Sequence, residues 1–195
     1  MQRESVKIGV AMNGAPGIGK DTLVQLMLKM MPIGSIRVGT LANMIREDAA
    51  KHFGIPDFFY LSTARETKDT KCPGFQMTPR QMLIDYSENV IKKANGKDFF
   101  AKKFAREMAL YDAFIMTDLG FVEEAEALAD EVDLLIIVQL EHPDFDYSRD
   151  SRGNVKLYRP NVFNMPYVVN RGDAQKDAGR ILESIQKEIE RRFRP

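Results

Sequence analysis

Apolar positions run nearly unbroken through Val6, Ile8, Val10, Ala11 and Met12, then return at helical spacing at Leu23, Leu26, Met27 and Met30. That change of period predicts a strand, a loop and a helix in that order. Residues 35–38 predict a short second strand, and Leu41, Met44, Ile45 and Ala49 predict a helix behind Gly39-Thr40. From Phe53 to Gln76 the pattern is irregular, broken by Pro56, Pro73 and Gly74, and its length suggests a functional segment rather than a plain connection. Thr78-Pro79 opens the next helix with proline in its first turn, and Met82, Leu83, Tyr86, Val90 and Ile91 form its apolar stripe.

After Asn95-Gly96 a further helix is predicted, with Phe99, Phe100, Phe104 and Met108 on its buried side. The run Ala113-Phe114-Ile115-Met116-Thr117 ends in the carboxylate of Asp118, and residues 123–129 are helix-like. Leu134 to Leu140 is the strongest strand signal, continuously apolar as a strand covered on both faces should be. Residues 166–170 predict a short last strand, and Ile181, Leu182, Ile185, Ile189 and Phe193 one face of a closing helix. Alternating strands and helices predict an α/β fold of three layers, a parallel sheet with helices on both faces. Ligands of such sheets bind beyond the carboxyl ends of the strands, the edge to which Asp118, Asn170 and the segment after Leu140 all belong.

Between the first strand and the first helix lies Gly14-Ala15-Pro16-Gly17-Ile18-Gly19-Lys20-Asp21-Thr22. Glycines let the backbone curl so that its N–H groups face an anion, the helix N-terminus adds partial positive charge, and Lys20 supplies a mobile cation. The bland alternative is a glycine-rich turn, but the strand before and the helix after supply the context a phosphate-binding loop requires. A nucleoside triphosphate is the expected ligand. Asp21 stands where many such loops place a Mg²⁺-binding hydroxyl, so the metal is expected to be held differently, through water.

At the end of a buried strand, Asp118 can reach the Mg²⁺ shell of a nucleotide on that loop, or serve as a turn or capping aspartate. Between His142 and Pro166 a polar stretch carries Arg149, Arg152 and Arg159 among Asp144, Asp146 and Asp150. It reads as a lid whose arginines neutralise a phosphoryl group in transfer, Arg149 and Arg152 first, or as a solvated hairpin. Arg46, Arg65 and Arg80 are the candidates for gripping an acceptor phosphate through paired hydrogen bonds, and each is also an ordinary solvated helix residue. Tyr86, Phe99 and Phe100 can flank a base or pack a core. His52 and His142 share no neighbourhood with Cys72, which makes zinc improbable, and Cys72 itself reads as an incidental, half-exposed loop thiol.

Composition narrows the classes further. With 195 residues, 44% of them hydrophobic, the chain can bury one sizeable core as a single domain. Basic and acidic residues balance at 28 each, so no global field draws it to nucleic acid or anionic lipid. No stretch approaches a membrane span and the first residues carry no apolar leader, which predicts a cytoplasmic protein that binds neither nucleic acid nor membrane.

These residues together resemble the phage-type deoxynucleoside monophosphate kinases, within the nucleoside monophosphate kinase group of P-loop proteins. The similar segments are Gly19-Lys20-Asp21-Thr22, Thr78-Pro79-Arg80-Gln81-Met82, Gly96-Lys97-Asp98-Phe99-Phe100, Thr117-Asp118-Leu119-Gly120-Phe121 with Glu123-Glu124, and Val168-Val169-Asn170-Arg171-Gly172. More distantly, Val38-Gly39-Thr40 with Arg46 is similar to the acceptor helix of adenylate kinases. The resemblance implies one P-loop kinase domain over residues 1–195, with an acceptor-binding insertion at about 40–108 and a lid at about 142–166. It implies transfer from ATP, with Mg²⁺, to a deoxynucleoside monophosphate (dNMP), in the host cytoplasm if the chain is phage-encoded. Asn170 and Gly172 would lie at the adenine, Arg80 at the acceptor phosphate with Thr40, Arg46 and Arg65, and Tyr86, Ser87 and Phe100 at the sugar or base. Gly120 stands where some relatives carry an arginine, whose role then falls to the lid or is absent. The 53–76 stretch is expected to cover the acceptor or to contact another subunit, which keeps a homodimer among the readings.

Three other readings stay open. One is a P-loop kinase of another acceptor, such as dephospho-coenzyme A or a sugar acid. A second is a guanine-nucleotide switch, suggested by Asn170-Arg171-Gly172-Asp173, although Asp21 removes the metal hydroxyl and no Asp-x-x-Gly follows the third strand. The last is a P-loop scaffold without catalysis.

Overall fold

The apolar runs become five parallel strands: β1 (Ile8–Gly14), β2 (Ile36–Gly39), β3 (Ala113–Leu119), β4 (Leu134–Glu141) and β5 (Val162–Val168). They form one sheet in the order β2-β3-β1-β4-β5. The helices are α1 (Lys20–Met30), α2 (Leu41–Phe53), α3 (Phe58–Thr63), α4 (Pro79–Asp85), α5 (Lys93–Asn95), α6 (Phe99–Met108), α7 (Val122–Ala129) and α8 (Ala174–Phe193). This computed structural model describes residues 6–31, 36–64, 66–148, 152–170 and 172–193. The chain divides into two compact units, residues 1–39 with 105–195, and residues 40–104.

The first unit contains the sheet. Seven of the eight residues of β4 are buried, which is why its sequence shows no polar alternation. Val10 and Met12 of β1, with Ile136 and Val138 of β4, pack against Leu23, Val24 and Met27 of α1 and Ile181 and Ile185 of α8. Each such side chain removed from water contributes about 1.5–3 kcal/mol. Side chains alternate along a strand, so Ala11 and Asn13 face the opposite layer, where α7 packs on β1 and β4. The result is the expected α/β fold, a parallel sheet with helices on both faces.

Pairing of β1 with β3 is regular from Ile8–Ala113 to Ala11–Met116, then slips by one, so that Asn13 faces Leu119. Two residues, Thr117 and Asp118, therefore stand opposite the single Met12. A bulge of this kind bends the strand and re-aims a side chain, here immediately at the end that carries Asp118.

The last strand differs from the expected 166–170. It begins at Val162, and Pro166 lies inside it opposite Gln139. Proline is tolerated there because β5 is at the edge of the sheet. The polar residues that masked its first half have structural work: Asn161 donates to the carbonyls of Ala129 (2.8 Å) and Val132 (3.0 Å), and Asn164 exchanges two hydrogen bonds with Leu157.

The second unit is helical. Thr40 caps α2 by accepting from the Asn43 amide at 3.0 Å, and Gly54 ends that helix. Thr78 and Gln81 cap each other reciprocally at the start of α4, with Pro79 in the first turn as the sequence predicts. The helix then widens into a π-helical stretch at Tyr86–Lys92 before α5. The irregular 53–76 stretch contains α3, whose Phe58 is fully buried against Phe53 at 5.7 Å. Cys72 is buried, not half-exposed: its amide and carbonyl bond to Met77 and Phe75, which turns the thiol inward.

Candidate functional site

The loop after β1 keeps the curl its glycines imply. Gly17 and Gly19 have φ of 80° and 104°, a region closed to most side chains, and α1 starts directly behind Gly19. Because Gly19 brings no side chain to cap it, the first turn of α1 leaves amide groups for an anion. Pro16 is exposed, whereas Ala15 and Ile18 are buried and anchor the loop on the core. The Lys20 ammonium donates to the carbonyl oxygens of Gly14 (2.6 Å) and Ala15 (3.1 Å), so the cation lies along the loop's own backbone. Asp21 and Thr22 are exposed in the first turn of α1.

The segment after β4 turns back over the loop. Phe145 donates its amide to the His142 carbonyl at 3.1 Å, and a side chain begun at Gly17 would lie 3.3 Å from the Phe145 ring. Farther along, residues 153–157 do not form a solvated hairpin. They cross the face of the sheet opposite α1, held by side-chain amides from three strands, two of them buried. Asn13 of β1 donates to the carbonyls of Leu119 (3.0 Å) and Gly153 (2.9 Å) and accepts from the Val155 amide (3.0 Å). Gln139 of β4 donates to the Val155 carbonyl at 2.6 Å, and Asn164 of β5 holds Leu157. Val155 and Leu157 are themselves buried. At the far end Arg159 pairs with Asp130 behind α7 at 2.5 Å. Residues 162–166 of the expected lid belong to β5.

Asp118 is half-buried at the end of β3. Just beyond it the chain is fixed by Glu124, whose buried carboxylate accepts from the amides of Gly120 (2.8 Å) and Phe121 (3.1 Å). Arg152 lies against Gly120. Among the described residues no group of three or more His, Cys, Asp or Glu is arranged to hold a metal ion. One or two carboxylates with waters and phosphate oxygens suffice for Mg²⁺, and Asp118 with Asp21 fit that donor set.

At the end of β5 the turn expected under the adenine is braced from α8. Asp177, buried in the first turn of that helix, accepts from the Asn170 amide at 2.6 Å and from the Tyr167 hydroxyl at 2.8 Å. Burial, then the bond to Asp177, pushes the Tyr167 hydroxyl pKa up. The Asn170 side chain accepts from the Gly172 amide at 3.1 Å and so is used within its own turn.

Of the acceptor candidates in the second unit, Thr40 is the α2 cap and Arg46 donates to Asn43 at 2.7 Å. Arg80 grips the Asp69 carboxylate through Nε (2.6 Å) and Nη2 (3.4 Å), the two-point geometry that would suit a phosphate. That contact raises the Arg80 pKa and lowers that of Asp69. Tyr86 and Ser87 are buried where the π-helical stretch begins, and Phe100 is buried with its ring 6.3 Å from Tyr86. Burial, then the Asp48 charge, raises the Tyr86 pKa. Arg65 and Arg149 lie outside the described residues.

Sequence reasoning missed Asn13, Gln139, Glu124 and Asp177, all buried and all bonded to backbone amides or carbonyls. The signal was present for the first two: a lone amide inside an otherwise apolar strand.

No protein-family model matches the chain, and no curated protein matches it. Among solved structures it is similar to a sugar kinase from Janibacter sp. HTCC2649 (TM-score 0.49, 11% identity, covering 93% of this chain and 95% of that one). It is also similar to dephospho-CoA kinase from Campylobacter jejuni (TM-score 0.47, 11% identity, 92% and 98%). A plasmid partition protein from Borrelia burgdorferi follows (TM-score 0.45, 14% identity, 95% and 100%). At these values the likeness says nothing of ligand or reaction. Among the described residues no helix is long and apolar enough to cross a membrane.

Proposed function

We propose that the protein is an ATP-dependent kinase of a small phosphorylated acceptor, and that the acceptor is a deoxynucleoside monophosphate. The observation that carries this reading is the loop itself: left-handed Gly17 and Gly19, an open helix start and the Lys20 ammonium on the loop backbone. A triphosphate tail offers the oxygens that would draw Lys20 off its carbonyls and occupy the amides of the first turn. Magnesium, bound with the nucleotide, would neutralise phosphate charge, with Asp118 and Asp21 the residues to hold it, in part through water. Arg152, and Arg149 with it, would face the phosphoryl group as negative charge develops there. In-line transfer needs positioning and cations rather than a dedicated base. Arg80 is the acceptor-phosphate residue of this reading because its two-point grip on Asp69 is the one a monophosphate would exploit.

The test is direct. The pure protein is incubated with ATP, Mg²⁺ and each of the four dNMPs, and the diphosphates are quantified. Formation of at least one diphosphate supports the proposal. Failure of all four, with turnover of dephospho-coenzyme A or a sugar acid, keeps the kinase and replaces the acceptor; tight GTP binding without transfer to any acceptor replaces the enzyme by a switch.

A further inference from the structure

Gly120 follows β3 two residues after Asp118, and the aliphatic part of Arg152 occupies the space where a side chain at 120 would begin. A Cβ there would lie 2.4 Å from Arg152 Cδ, 2.5 Å from Cγ and 3.1 Å from Cβ, the first two far inside carbon–carbon contact. The backbone beside Arg152 is pinned as well. Gly153 donates its amide to the Gly120 carbonyl at 3.3 Å, and the Asn13 side chain holds the Gly153 carbonyl and the Val155 amide while also holding the Leu119 carbonyl. One buried amide thus joins the strand that feeds the phosphate loop, the end of the strand that carries Asp118, and the backbone next to Arg152. An aspartate at 13 could not do this, because a carboxylate has no hydrogens for the two carbonyls.

We infer that Asn13 and Gly120 are positioning residues that hold Arg152 at the end of β3 before any nucleotide arrives. For its catalytic meaning this deepens the kinase reading and rests on it. A guanidinium fixed in advance stabilises developing phosphoryl charge without reorganisation, whereas one on a swinging loop must first be ordered. Asparagine suits position 13 because it alone supplies both donor hydrogens and the acceptor in so short a side chain, and glycine suits 120 because it alone leaves the space.

The test uses the full chain in four forms: wild type, Gly120→Ala, Arg152→Ala and the double variant, each measured for Tm, kcat and the KM for ATP. Gly120→Ala is expected to lower Tm by roughly 5 °C through overpacking, and Arg152→Ala in the same chain to restore most of that loss. In kinetics, Gly120→Ala is expected to lower kcat by about ten- to a hundredfold with the KM for ATP little changed, and the double variant to be no slower than Arg152→Ala alone. Asn13→Asp, at a temperature where it remains folded, is expected to lower kcat in the same direction and to lose nothing further when Arg152→Ala is added. Losses in Tm that simply add, losses in kcat that multiply, or a Gly120→Ala enzyme with wild-type kcat each overturn the inference. If the wild type transfers phosphate to no acceptor, the proposed function fails, and the melting cycle, which needs no substrate, still decides whether Gly120 and Arg152 share that space.

Discussion

The two units treat their polar groups in opposite ways. In the sheet unit, Asn13, Gln139, Glu124 and Asp177 are buried and each is bonded to main chain, so their geometry is set by the backbone itself. In the helical unit charged side chains pair with one another instead: the candidate Arg80 with Asp69 at the surface, and Lys92 with Glu88 and Lys103 with Asp48. A buried amide bonded to a carbonyl cannot be exchanged without leaving an unsatisfied group, whereas an exposed ion pair is readily traded for another anion. On the proposed reading, the nucleotide residues are built in advance and the acceptor residues are provisional, their partners standing in for the ligand.

Lys20→Ala gives the largest break in this contrast. It is expected to reduce phosphoryl transfer about a thousandfold or more while leaving the melting curve close to wild type, as read by a coupled ADP-release assay beside calorimetry. An unchanged rate would remove the phosphate loop from the mechanism. Next in size is Gln139→Leu, which orphans the Val155 carbonyl inside the protein and is expected to cost about 1–3 kcal/mol in urea unfolding. Arg80→Ala in the same assay is expected to stay within about 0.5 kcal/mol, because its partner is exposed to solvent. Equal costs for the two would erase the distinction.

Arg80→Ala is instead expected to raise the KM for the acceptor about tenfold with the KM for ATP unchanged, and Asp69→Asn to lower the acceptor KM a few-fold by removing a competing anion. If Asp69→Asn leaves the acceptor KM as it was, the stand-in reading of that carboxylate fails. The smallest effect concerns acid. Hydrogen bonds from Arg191, opposed by burial and aided by Arg192, hold the Glu188 pKa below its ordinary value of 4.5. A lowered carboxylate pKa adds stability that is complete above that value and is lost as pH falls through the lower, folded one. Glu188→Gln should therefore melt with a flatter dependence on pH in the acid range, and an unaltered slope would show that the fork at the end of α8 contributes nothing.

Much of the fold was legible because periodicity reports burial. The continuous run 134–140 could only be a strand covered on both faces, and Thr78-Pro79 with Gln81 writes a helix start in local chemistry. The curl of the loop after β1 was legible too, since Gly17 and Gly19 answer to backbone angles that few other residues reach. What stayed hidden depends on contacts distant in sequence. Asn161 and Asn164 made the first half of β5 look like a loop, because their carbonyl partners at Ala129, Val132 and Leu157 cannot be read locally. Gly120 read as a gap in a motif, and only the packing of Arg152, thirty-two positions later, shows what the gap admits.

The slip in pairing between β1 and β3 has a consequence for any shortened chain. Deleting one residue at 117 would let the two strands zip in perfect step, and a survey of helix and strand content would register an intact domain. Leu119 would still meet Asn13, as it does now, but Asp118 would stand alone opposite Met12, without the bend that two residues facing one impose on the strand. A tidier sheet would keep its pairs and lose only the kink that aims the carboxylate.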